Sequence, residues 1–110
     1  MYHGTSNTEQ KIARAILKAA KLSDLTMRIF DEEEFIVKTN NKVIAFAALG
    51  DSGQNEIIFF NNEGKRLGWL LLVWGNDFDL ISDYTASEEM EKFLKPVNDK
   101  IDKWAEKAGY

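Results

Sequence analysis

The sequence predicts an α+β domain: an antiparallel β-meander of about five to six strands, flanked by an N-terminal helix and a kinked C-terminal helix. Apolar residues recur at helical spacing near each end of the chain. Between those stretches lie short runs rich in β-branched and aromatic residues, punctuated by Asn, Asp and Gly. The gaps between the runs are too short for parallel crossovers, so successive strands are expected to pair antiparallel.

The first helix is expected over residues 8–22, with Ile12, Ala13, Ile16, Leu17 and Ala20 on one face. Thr8 is one candidate cap, but Lys11 stands where a capping box needs an acid or amide. Ser6 with Glu9 fits the box better and would start the helix two residues earlier. Strands follow at residues 26–30 and 34–39, joined by the acidic turn Asp31-Glu32-Glu33. Asn40-Asn41 reads as a two-residue hairpin turn, because Asn tolerates positive φ. It would lead into a strand over residues 42–49. Further strands are expected at 56–60, 65–74 and 78–84, separated by polar turns.

The last helix carries Met90, Phe93, Leu94, Val97, Ile101, Trp104 and Ala108 on one stripe. Thr85 with Glu88 forms a capping box at its start. Pro96 removes a donor inside it, so a kink is expected there. Gly109 ends it. The 110 residues make a single domain, with residues 1–7 a polar, flexible tail.

Composition narrows the function classes. The chain has no cysteine, which excludes disulfides, thiol catalysis and thiolate metal sites and suits a reducing, cytoplasmic setting. No apolar run is long enough to cross a membrane. A net charge of -4 argues against generic nucleic-acid binding. His3 is the one histidine and stands in the tail, so a His-based triad or metal site is not expected. Gly50-Asp51-Ser52-Gly53 precedes a strand, not a helix, and reads as a turn, not a phosphate loop.

The stretch RLGWLLLVWGN, residues 66–76, raises the functional question. Strand alternation puts Leu67, Trp69, Leu71 and Val73 on one face and Arg66, Gly68, Leu70, Leu72 and Trp74 on the other. Both faces are apolar, so both want cover, and only two helices are expected. If one helix covers each face, the sheet is sandwiched and Trp74 is core; if both lie on the Trp69 face, Leu70, Leu72 and Trp74 form a patch that marks an interface. Trp69 is read as core. The candidate ligand or interface residues are therefore Arg66, Leu70, Leu72, Trp74, Asn76, Asp83 and Tyr84. Asp83, Tyr84, Thr85 and Ser87 also precede a helix start, where anions bind, but capping explains them more simply.

Other charged groups have structural readings. Lys11, Arg14, Lys18 and Lys21 form one stripe of the first helix, usable by a phosphate-bearing partner but ordinary for a wet helix face. Residues 31–34 read as a solvated acidic turn. Asp77, Asp79 and Asp83 share one side of the expected last strand and support the alternative of a carboxylate enzyme, with or without a metal. No histidine or cysteine partners them, so no catalytic residue, metal or cofactor is expected.

Gly68-Trp69, Gly75-Asn76 and Ile81-Ser82-Asp83-Tyr84, ahead of an acidic helix, resemble small helix–meander–helix proteins encoded by bacteriophages and other mobile elements. The likeness covers residues 25–97. It carries no activity. It implies a phage or mobile-element origin and interference with a host process, by sequestering a nucleotide signal or docking a host protein. The expected function is thus a non-enzymatic binding protein, not an enzyme. Its expected partners are itself, as a homodimer or higher oligomer, and a host protein or nucleotide-type small molecule.

Overall fold

In the computed structural model, residues 5–109 are described. Helix α1 spans Asn7–Leu22, followed by strands β1 (Thr26–Asp31) and β2 (Glu34–Thr39). A short helix α2 (Lys42–Ala47) leads to β3 (Gln54–Phe60) and β4 (Arg66–Val73). A 3₁₀ turn at Asp77–Asp79 precedes β5 (Ile81–Tyr84), and α3 (Glu88–Lys107) closes the chain. The five strands form one antiparallel sheet in the order β2-β1-β3-β4-β5. The expected α+β architecture is therefore present.

Two parts of the expectation are corrected. Residues 42–47 are helical, not extended. The Asn41 side-chain oxygen accepts from the backbone N–H groups of Val43 and Ile44, at 2.9 and 3.1 Å, so this residue is a helix cap and not half of a hairpin turn. Ala45 and Leu49 are buried four positions apart, with Phe46 and Ala48 packed beside them, which is helical and not alternating spacing. Because α2 intervenes, β3 returns beside β1 and not beside β2, so the strand order departs from a strict meander. The second correction is at the other end. Residues 77–79 form a turn, and only residues 81–84 are strand.

The helix caps follow the chemistry of orphan N–H groups. At α1 the Ser6–Glu9 capping box is present in both directions, so residues 5–7 belong to the fold; residues 1–4 of the expected tail, with His3, lie outside the described residues. At α3 the cap is Ser87, whose hydroxyl accepts from Met90 N–H at 3.2 Å. Thr85, expected to cap, instead accepts from Trp69 N–H at 2.9 Å and extends the sheet edge. Helix α3 continues through Pro96, which faces solvent.

All the fully buried strand side chains point to one side of the sheet. They are Met27 and Ile29 of β1, Asn55, Ile57 and Phe59 of β3, and Leu70 and Leu72 of β4. On that side Ile12, Ile16 and Leu17 of α1 and Met90, Leu94 and Val97 of α3 complete the core. The rings of Phe59 and Phe93 meet with centroids 4.8 Å apart. Helix α3 approaches β4 closely at Gly68, where an added Cβ would stand 2.7 Å from Met90 Cγ and 3.0 Å from Thr85 Cβ. Glycine is needed there for lack of room.

Two buried polar side chains lock this arrangement. Glu9 is 1% exposed. One carboxylate oxygen accepts from Ser6 N–H at 3.0 Å; the other accepts from Gly75 N–H at 2.6 Å and Asn76 N–H at 3.1 Å. The capping carboxylate of α1 thus also clamps the turn after β4. Asn55 accepts from Gly50 N–H at 2.9 Å and from the Trp74 indole N–H at 2.8 Å, and donates to Phe30 C=O at 3.0 Å. It joins β1, the loop after α2 and the end of β4. Among the described residues no buried side-chain polar atom lacks a partner.

Two stability measurements check these contacts. Glu9→Gln keeps the shape but turns an amide donor toward backbone donors, and is expected to cost on the order of 2–3 kcal/mol in denaturant unfolding. A loss below about 0.5 kcal/mol, the usual range for an indifferent surface site, would show that the clamp contributes nothing. Gly68→Ala is expected to cost about 1–3 kcal/mol through overpacking against α3, read from the same midpoint shift.

Candidate functional site

With both long helices on one side, the opposite face of the sheet is bare. In β4 it presents Trp69, Leu71 and Val73; in β3, Glu56, Ile58 and Phe60; in β1, Thr26, Arg28 and Phe30. None of these nine is fully buried; they shield one another and remain in contact with solvent. The pairing register orders them into rows. One row runs Lys38, Arg28, Ile58, Trp69; the next runs Phe35, Phe30, Glu56, Leu71, Asp83. Arg66 lies opposite Phe60 because a register shift at this end of β4 takes Leu67 out of alternation, and Leu67 packs on the core instead.

Cations lean over the aromatic rings of this face. The Arg28 guanidinium is 5.3 Å from the Phe35 ring and 5.9 Å from Phe30, and Lys38 stands 5.8 Å from Phe60. Phe30 and Phe35 meet edge to face at 5.6 Å. The face carries both signs: Arg28, Lys38 and Arg66 lie toward one end of the strands, Glu56 and Asp83 toward the other.

The expected candidates are dispersed. Arg66 and Asp83 belong to the bare face. Leu70 and Leu72 are 0% exposed and Trp74 is 8% exposed, all beneath the helices. They belong to the core, and Trp69, expected there, is on the uncovered side instead. The expected surplus of apolar strand surface is real, but the two faces are exchanged. Trp74 resolves this physically, since its indole N–H finds a buried acceptor in Asn55 that no solvent-facing ring would need. Asn76 serves the turn, donating its backbone N–H to Glu9 and its side-chain amide to Val73 C=O at 3.1 Å.

Tyr84 packs at the core margin, with its hydroxyl 3.1 and 3.3 Å from the two carboxylate oxygens of Glu91. Asp77 and Asp79 sit in the 3₁₀ turn and Asp83 on β5; no three carboxylates gather as a metal site among the described residues. The shared side expected of them required a strand that residues 77–79 do not form.

Sequence reasoning missed a second feature, a cleft of about 350 Å³ between α1 and α2. Arg14, Leu17 and Lys18 line it from α1; Lys42, Val43 and Phe46 line it from α2. Reading residues 42–49 as a strand hid it. The usable signal was the alanine content at 45, 47 and 48 after a capping Asn41.

The Tyr84–Glu91 pair has a pH signature. The hydrogen bond from the phenol to Glu91, then desolvation and the Glu91 charge, raise the Tyr84 pKa above its ordinary 10.0. A raised phenol favours the neutral form in the folded state. Its stabilising contribution is therefore present below pH 10 and lost as pH rises through the folded value. Absorbance titration of phenolate is expected to show one tyrosine lagging above 10, and Glu91→Ala should remove the lag. No protein-family model, curated protein or solved structure was found to match this chain.

Proposed function

We propose that this chain is a non-enzymatic binding protein whose working surface is the helix-free face of its sheet, and that the first occupant of that face is a second copy of the chain. One observation carries the reading: a contiguous aromatic and aliphatic surface, Phe30, Ile58, Phe60, Trp69, Leu71 and Val73, left without cover. An uncovered apolar patch rimmed by charged residues is the usual mark of an interaction site. Strands about 4.8 Å apart and about 20 Å long give the sheet a plan area on the order of 500 Å². Two copies would bury roughly 1,000 Å², the lower limit of a specific interface. That scale fits association at micromolar concentration.

The charge layout supports a self-complementary contact. Rotating one copy end for end brings the row of Arg28 and Lys38 toward the row of Glu56 and Asp83 in the other. The two carboxylates, in a chain of net charge -4, distinguish this face from a groove that tracks nucleic-acid phosphates. The phage-like segments at Gly68-Trp69 and Ile81-Ser82-Asp83-Tyr84 are compatible with a role against a host process in a reducing cytoplasm. Docking of a host protein would use the same face.

Sedimentation of wild type and Ile58→Glu tests the proposal. Wild type is expected to shift from monomer to dimer across micromolar concentration, with Ile58→Glu remaining monomeric and its circular dichroism unchanged. The buried charge loses its water only on association, so the variant should weaken the dimer at least tenfold, about 1.4 kcal/mol. A wild type that stays monomeric at all concentrations rejects the dimer, as does a variant that associates equally well.

A further inference from the structure

We infer that the cleft between α1 and α2 binds a small anion carried on a planar or apolar body. Three cationic side chains, Arg14, Lys18 and Lys42, line it together with Leu17, Val43 and Phe46, and no carboxylate does. In a chain with 18 acidic and 14 basic residues, that is a local reversal of sign. Among the described residues the one ion pair is between Lys95 and Asp99, so none of the three cations is neutralised by a partner. Three uncompensated cations around one concavity raise the local concentration of anions.

The arrangement suits a charged head joined to a flat or greasy body. The Arg14 guanidinium lies 4.6 Å from the Phe46 ring centroid, so its planar fork is held in place by stacking while its N–H groups remain available. Such a fork takes a phosphate or carboxylate through two parallel hydrogen bonds. Beside it, α2 turns Val43 outward at 76% exposure and Ile44 at 50%. A helix of six residues gains nothing from exposed β-branched side chains unless something covers them. The volume of about 350 Å³ lies at the small-ligand end of the usual range. Two sources share this chemistry: an organic phosphate on a planar base, and a carboxylate on an alkyl chain. The cleft lies on the helix layer, on the other side of the sheet from the self-association face, and the two sites are independent.

Amide NMR titration of labelled protein tests the inference with four probes: adenosine monophosphate, decanoate, inorganic phosphate and adenosine. Saturable shifts at Leu17, Val43 and Phe46 are expected with adenosine monophosphate or with decanoate, and the one that saturates identifies the source. Where adenosine monophosphate is the one that saturates, its parts, phosphate and adenosine, should each bind at least roughly tenfold more weakly; where decanoate is, both should bind at least roughly tenfold more weakly than decanoate. Lys18→Glu and Lys42→Glu, both at exposed positions, are expected to weaken binding by roughly tenfold or more without changing the fold. Ile58→Glu should bind the probe as wild type does. The inference is overturned if neither composite probe shifts these residues at millimolar concentration. It is equally overturned if phosphate alone binds as tightly as the composite probe, or if the two lysine variants bind as wild type does.

Discussion

Burial of one sheet face, and only one, is the constraint on which everything else in this structure depends. Two long helices and one short one lie together, and the sheet beneath them carries its fully buried side chains on a single side. In β4 both faces are apolar, so the hydrophobic effect discriminates only through β1 and β3, which bury Met27, Ile29, Ile57 and Phe59 and turn Arg28 and Glu56 to the open face. Polar chemistry reinforces the choice. Trp74 has an indole donor that Asn55 satisfies only inside, and Glu9 reaches the turn after β4 only when α1 lies on that same side. Gly68 then lets α3 come close. With the side chosen, the other face is left open by the same interactions.

Much of this was readable from residues. The Ser6–Glu9 box, the apolar stripes of α1 and α3, the acidic turn after β1 and the bounds of β2 follow from local rules about caps, periodicity and turns. The choice of face was not readable from β4 itself, because its alternation is symmetric and the polar partners that fix its end are distant in sequence: Asn55 lies 19 residues from Trp74, and Glu9 lies 66 from Gly75. The α2 error has a different source. Val43, Ile44 and Phe46 have strand propensity, and a helix of six residues offers too little periodicity to outweigh it. Without α2 there is no cleft, so the cations of α1 read as an ordinary wet face.

The two surfaces divide the molecule chemically. The sheet face mixes aromatic rings with both signs of charge, and suits a partner that presents the same mixture. The helical cleft has one sign of charge and an apolar floor, and suits a small ligand. They are separated by the sheet and the core, so a change in one need not perturb the other. Aspartates at 77, 79 and 83 belong to neither as a group, and among the described residues no three carboxylates gather as a metal site.

The Glu9 clamp has a consequence for the order in which the chain assembles. Helix α1 is complete in sequence by residue 22, and its capping box is entirely local. The second carboxylate oxygen, however, takes its hydrogen bonds from residues 75 and 76. Until those backbone amides are in place, docking α1 would desolvate a charge that has only part of its native shell. The hairpin of β1 and β2 and the hairpin of β3 and β4 need no such delay, since each closes a short loop. On a ribosome, α1 would emerge before the sheet and yet be among the last of these elements to settle. A contact of such sequence separation is expected to slow the approach to the native state and to leave the apolar side of the sheet accessible while α1 waits.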